Sequence, residues 1–184
     1  EDWQIDFFLP GATQTLTLAQ GFNTLTFLGA TGTAVADFVD SLGGGVTRVF
    51  RFNADTQGYD SFQVGAPAFL NSMTSLQQGD ALFLDSTSAA TVDQLDALVG
   101  GVTQTIALHE GWNLVSYTGV SGAIVDIFAD VDSLSAAFVF DATTQSWLSY
   151  RVGQPAFLSQ ITELQRLQPV FLNLDSAATW TLVS

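Results

Sequence analysis

The 184 residues carry 18 Asp and Glu against four basic residues, all Arg, for a formal net charge of −14, a balance that repels nucleic acid and anionic membrane surfaces. Apolar residues make up 47% of the chain, yet no uninterrupted apolar run reaches the ~18 residues that a membrane span needs. Neither a nucleic-acid partner nor membrane insertion is expected, and with no Cys there is no disulfide or thiolate site.

Residues 1–14 form an extra segment in which Trp3, Ile5 and Phe7 lie on an apolar, strand-like run. After it the chain repeats itself. An offset of 88 positions pairs Phe50 with Phe138, Phe52 with Phe140, Thr56-Gln57 with Thr144-Gln145, and Gly65-Ala66-Pro67-Ala68-Phe69-Leu70 with Gly153-Gln154-Pro155-Ala156-Phe157-Leu158. Upstream the offset is 90, pairing Gly21 and Asn23 with Gly111 and Asn113, so two residues are missing from the second copy between about Asp40 and Phe50. Self-similarity at a fixed period marks a tandem array. Two homologous units are expected, residues 15–100 and 101–184.

In each unit the alternating run at 15–18 or 105–108 reads as a strand, followed by a Gly-x-Asn turn and a second strand. Val35, Phe38, Val39 and Leu42, matched by Ile124, Ile127, Phe128 and Val131, stand at i, i+3, i+4 and i+7, which predicts one amphipathic helix per unit. Aromatic strands at 46–52 and 136–140 then turn through 53–58 or 141–146 into another strand. Pro67 and Pro155 break that strand. The spacing of Phe69, Leu70, Met73 and Leu76, or Phe157, Leu158, Ile161 and Leu164, predicts a short helical turn packed onto the core. Strands at 81–85 and 91–95, matching 170–173 and 179–183, close each unit. The predicted fold is α+β and β-dominated, with mainly antiparallel strands.

Gly111-Trp112-Asn113-Leu114-Val115, Phe140-Asp141-Ala142, Thr144-Gln145-Ser146-Trp147, Gly153, Pro155-Ala156-Phe157-Leu158 and Ala178-Thr179-Trp180 resemble the "GWNL"-type tandem repeats of bacterial secreted and cell-surface proteins. The resemblance covers nearly the whole chain twice. It implies an extracellular β-rich module, and it brings no catalytic residues.

Candidate chemistry is sparse. His109 is the only histidine and stands opposite Ala19 in the register, so it reads as a surface residue. Without Cys or a second His, transition-metal coordination is not expected. The run 53–58 has the oxygen spacing of half a calcium loop but lacks the closing Glu, and it reads as a hairpin turn. Thr31, Thr33 and Ser121, beside paired glycines, are helix-capping candidates. Asp40 and Asp130 recur as acids, with nothing to couple them as a glycosidase pair.

Tyr59 and Trp147 open the strand after each hairpin, on the face opposite the core-facing Phe62 and Val64 or Tyr150 and Val152, where an outward aromatic suits a sugar face or a neighbouring subunit. Trp3-x-Ile5 resembles Trp180-x-Leu182, so strands at the two chain ends would offer open edges to other copies. The expectation is an extracellular, non-enzymatic structural protein without cofactor or metal. It would self-assemble as a homo-polymer, a filament or surface layer, through Trp3, Ile5, Phe7, Trp180 and Leu182, with Tyr59 and Trp147 as further contacts. The alternative is a non-catalytic carbohydrate-binding module that uses Tyr59 and Trp147 on glycans.

Overall fold

The computed structural model describes residues 12–96 and 103–183. In chain order, the first stretch holds β1 (Ala12–Leu18), β2 (Gly21–Thr26), β3 (Thr33–Ala34), α1 (Val35–Ser41), β4 (Val46–Asn53), β5 (Gly58–Gln63), β6 (Ser75–Leu76), β7 (Ala81–Ser86) and β8 (Ala90–Asp96). The second holds β9 (Thr103–Leu108), β10 (Gly111–Tyr117), β11 (Gly122–Ala123), α2 (Ile124–Ile127), β12 (Leu134–Asp141), β13 (Ser146–Arg151), β14 (Glu163–Leu164), β15 (Gln168–Leu174) and β16 (Ala178–Val183). Over the described residues the chain is β-dominated, and every strand pairing is antiparallel. A four-stranded sheet in the order β2-β7-β4-β5 is matched strand for strand by a second in the order β10-β15-β12-β13. Around these lie four two-stranded pairs: β1 with β8, β9 with β16, β3 with β6 and β11 with β14.

The pleat of each large sheet separates two apolar faces. In the first, Val49 stands opposite Leu84 and Phe62, and all three meet a core shared with Phe38, Val39 and Met73. In the second, Ala137, Leu172 and Val139 do the same with Phe128, Ile161 and Trp180. The helical stripe is buried as the spacing predicts: Val35, Phe38, Val39 and Leu42 are all covered. In the second half the helix stops after Ile127, and single turns carry the chain on, from Ala129 N–H to the Asp126 carbonyl and from Val131 N–H to that of Phe128. The link to the next strand is two residues shorter there, so it tightens into i→i+3 turns while Phe128 and Val131 stay buried.

Three details depart from the sequence reading. The hydroxyls of Thr31, Thr33 and Ser121 do not cap the helices. Thr31 and Ser121 accept the N–H groups of Gln78 and Arg166, and Thr33 donates to the Ala30 carbonyl. The helices instead begin directly after β3 and β11, and the first N–H of each, on Val35 and Ile124, reaches the carbonyl of Thr74 or Thr162. Secondly, Val64 and Val152, placed on the core face by alternation, are about half exposed because both lie past the end of β5 or β13.

The third departure concerns the repeated Pro-Ala-Phe-Leu words. Each forms a 3₁₀ turn, Ala68–Leu70 or Ala156–Leu158, but the turn does not pack onto the core. Phe69 is 84% and Phe157 85% exposed, with Leu70 and Leu158 also largely in solvent, while Met73 and Ile161 just beyond are buried. Hydrogen bonds to the outer edge of the sheet fix this position. Asn71 Oδ1 accepts Gln63 N–H, Ser72 Oγ accepts Ser61 N–H, and Met73 N–H donates to the Ser61 carbonyl. In the second half Gln160 makes the matching bonds to Ser149. The turn is therefore hooked onto the sheet's rim, where its phenylalanine has no core beneath it.

Candidate functional site

The outer faces of the two four-stranded sheets meet ring to ring. Phe52 packs edge-on against Phe171 at 4.9 Å, and Phe83 against Phe140 at 6.0 Å. The two contacts are reciprocal, since Phe140 and Phe171 are the register partners of Phe52 and Phe83. Edge-to-face geometry suits the aromatic quadrupole and is worth about 0.5–1.5 kcal/mol per pair beyond burial.

Two glutamines clasp this seam. Each sits at the end of a hairpin turn at φ 52°, just after a loop pinned by an Asx-type bond: Asn53 Oδ1 accepts the N–H groups of Asp55 and Thr56, and Asp141 Oδ1 those of Thr143 and Thr144. From there Gln145 reaches across to Phe22, accepting its N–H at 2.8 Å and donating to its carbonyl at 2.9 Å. Gln57 does the same to Trp112, at 2.8 and 3.0 Å. The clasp requires Gly21 and Gly111 beside it: both have positive φ, and a Cβ there would stand 2.5 Å from Gln145 Oε1 or 2.8 Å from Gln57 Oε1. Asn23 and Asn113, both buried, pin the corner from behind, their amides bridging the backbone N–H and carbonyl of Ala19 or His109. The Gly-aromatic-Asn word thus supplies backbone conformation, seam ring and corner staple in order.

Thr26 and Ser116, register partners of each other, also meet at the seam. Their hydroxyl oxygens are 2.8 Å apart, and Thr26 donates to the Leu167 carbonyl at 2.6 Å. Removing a buried hydroxyl leaves its partners unsatisfied. Thr26→Val is expected to lower the unfolding free energy by about 1–3 kcal/mol, read from urea unfolding; an unchanged midpoint would show that water replaces the bond.

One side of the seam is closed and the other open. The Trp112 indole stacks on Phe171 at 5.0 Å and 28° and leans on Phe138 at 5.6 Å. At the matching place Phe22 is smaller, and no ring partner is found for it among the described residues. A cleft of about 310 Å³ remains there, lined by Phe22, Phe50, Tyr59, Phe83, Phe140 and Trp147. Tyr59 and Trp147, singled out separately in the sequence, are brought together on this one cleft from opposite sides of the seam. Burial beside Phe50 and Phe52 pushes the Tyr59 hydroxyl above its ordinary pKa, so it remains neutral and a hydrogen-bond donor at any physiological pH.

The remaining candidates fall elsewhere. Trp180 is 2% exposed, stacked on Tyr117 and Phe128, and Leu182 is buried with it. Neither is free to contact another chain, because β16 pairs with β9 and turns these side chains inward. Trp3, Ile5 and Phe7 lie outside the described residues. His109 Nδ1 lies 3.4 Å from Asp55 Oδ1, a surface ion pair bridging the seam when the imidazole is protonated. Asp40 and Asp130 are exposed. In the second hairpin the Thr144 hydroxyl, then the Thr143 N–H, hold the Asp141 carboxyl below its ordinary pKa. That support for the turn is present above the carboxyl's unfolded value and is lost as pH falls through the folded one. Among the described residues no helix is long and apolar enough to cross a membrane.

Sequence reasoning missed Gln57 and Gln145, although their recurrence at the same turn was visible in the register. It also missed the exposure of the Phe-Leu turns. No protein-family model, curated protein or solved structure matches this chain.

Proposed function

We propose that the chain is an extracellular, non-catalytic structural module of two tandem homologous units that self-assembles into a filament or surface layer through aromatic contacts. The observation that carries this reading is the pair of projecting turns. In both halves a hydrogen-bonded, rim-anchored 3₁₀ turn holds a phenylalanine about 85% exposed beside an exposed leucine. Large apolar side chains held in water on a pre-ordered turn mark an interaction surface. Their surroundings fit contact between copies: residues 61–79 and 152–162 carry no charge, in a chain whose net −14 would otherwise keep copies apart. Two equivalent turns per chain make it divalent, and a contact that does not close on itself propagates. Secretion is supported by the absence of Lys, the Ser- and Thr-rich surface and the resemblance to secreted tandem repeats.

Concentration-dependent sedimentation and negative-stain microscopy test the proposal. The wild-type chain is expected to form larger species as concentration rises, and Phe69→Ser/Phe157→Ser to remain monomeric with an unchanged melting temperature. A wild-type chain that stays monomeric at every concentration would sink the proposal.

The second reading, glycan binding, is favoured by the convergence of Tyr59 and Trp147 on one cleft, since stacked rings can receive a sugar face. Saturable binding in a glycan screen, abolished by Trp147→Ala, would establish it; a blank screen would dismiss it.

A further inference from the structure

We infer that the open aromatic cleft is the receptor for a projecting phenylalanine turn of a second copy of this chain. The inference rests on the self-assembly reading above and names the contact. Its starting point is the unequal seam. The Trp112 indole occupies the space beside Phe171 and Phe138; the register partners of those two rings, Phe83 and Phe50, line the cleft beside the smaller Phe22. The filled side defines the kind of group that the empty side accepts: one planar ring, face-on to one phenylalanine and leaning on a second.

The chain itself displays such groups. Phe69 and Phe157 each project from a turn whose backbone is fixed by the bond from Leu70 N–H to the Pro67 carbonyl, or from Leu158 N–H to that of Pro155, both at 2.9 Å. A ring carried on an already ordered turn spares the backbone part of the ordering cost on insertion. Charge agrees with the match, because all six side chains around the cleft are uncharged and so are the segments that carry the turns. Knob and cleft are different surfaces, so the contact is heterologous. It leaves a cleft open at one end of any chain of copies and free knobs at the other, and such contacts extend without closing. With two knobs to one cleft, half the knobs remain free in a single-file polymer.

The decisive variant is Phe22→Trp, which reproduces the filled side of the seam and leaves both knobs untouched. It is expected to keep the wild-type melting temperature and to weaken self-association by about tenfold or more in sedimentation velocity, as Phe69→Ser/Phe157→Ser does. Mixing the two variants restores one cleft and two knobs between different chains, so complexes of limited size, at most two knobless chains on each cleft-filled chain, are expected where neither variant associates alone. If Phe22→Trp polymerises like the wild type while the double variant does not, the knobs act but the cleft is not their receptor, and this inference falls while the proposed function stands. A wild-type chain that never associates removes both.

Should Phe22→Trp fail to fold, the acetylated and amidated peptide Gly-Gln-Pro-Ala-Phe-Leu-Ser can be titrated into the knobless chain, with intrinsic tryptophan fluorescence as the signal. The peptide has no tryptophan of its own, and Trp147 stands at the cleft. Saturable change, lost when phenylalanine in the peptide is replaced by serine, supports the inference. A flat titration overturns it.

Discussion

Trp180→Ala is expected to destabilise the chain by about 3–5 kcal/mol, the range for truncating a large buried aromatic, and to lower the melting temperature by roughly 6–20 °C for a chain of this size. The indole is 2% exposed, stacks on Tyr117 at 5.8 Å and 17°, leans on Phe128 at 4.9 Å, and donates its N–H to the Ile127 carbonyl at 3.3 Å. Truncation opens a cavity walled by other rings, which cannot collapse to fill it, and leaves that carbonyl without its donor. In the first half Val92 occupies the matching place and is likewise buried. Val92→Ala removes two carbons and should cost about 2 kcal/mol. Calorimetry on the two variants side by side checks the order. The same comparison separates a core role from an assembly role: an indole acting between copies would leave monomer stability unmoved and affect only association.

The second large effect is expected from Gly111→Ala. The residue sits at φ +85°, and its new methyl carbon would stand 2.8 Å from Gln57 Oε1. The backbone penalty for a non-glycine residue there is about 1–2 kcal/mol. The glutamine must then swing away from the methyl group and forfeit two bonds to Trp112, each worth about 1 kcal/mol. A total near 3 kcal/mol follows, roughly 6–12 °C in melting temperature. Gly43→Ala is the matched control, since Gly43 has φ +80° and nothing within 4 Å of the added carbon. Equal losses in the two variants would mean that the clasp contributes nothing. A larger loss at Gly111 that shrinks to the Gly43 value in a Gln57→Ala background would assign the difference to the clasp.

Much of the framework was legible because it depends on period and punctuation. The alternation in β4 and β12, the hairpin turns, and the stripe Val35, Phe38, Val39 and Leu42 each follow from local pattern, and the register between copies supported all of them. The projecting turns were not legible for a physical reason. Phe69, Leu70, Met73 and Leu76 have a spacing suited to a buried turn, and sequence spacing does not reveal that Asn71 and Ser72 hook the segment to a sheet rim before the core is reached. Trp180 misled in the opposite sense: its likeness to Trp3 suggested an exposed edge, whereas pairing of β16 with β9 turns the ring inward. The site was half legible. Alternation put Tyr59 and Trp147 on the outer face, but only the docking of two sheets brings them to one cleft. The glutamines that hold that docking touch residues 55 and 123 positions away, far beyond any local signal.

The glutamine clasps address the peptide groups of residues 22 and 112 and leave the side chains there unread. A position gripped by its main chain keeps that grip when its side chain changes. Phenylalanine at one such position and tryptophan at the other are two settings of the same dial: one leaves a cavity and the other a plug. The shape of this joint can therefore be altered one substitution at a time while both clasps stay closed.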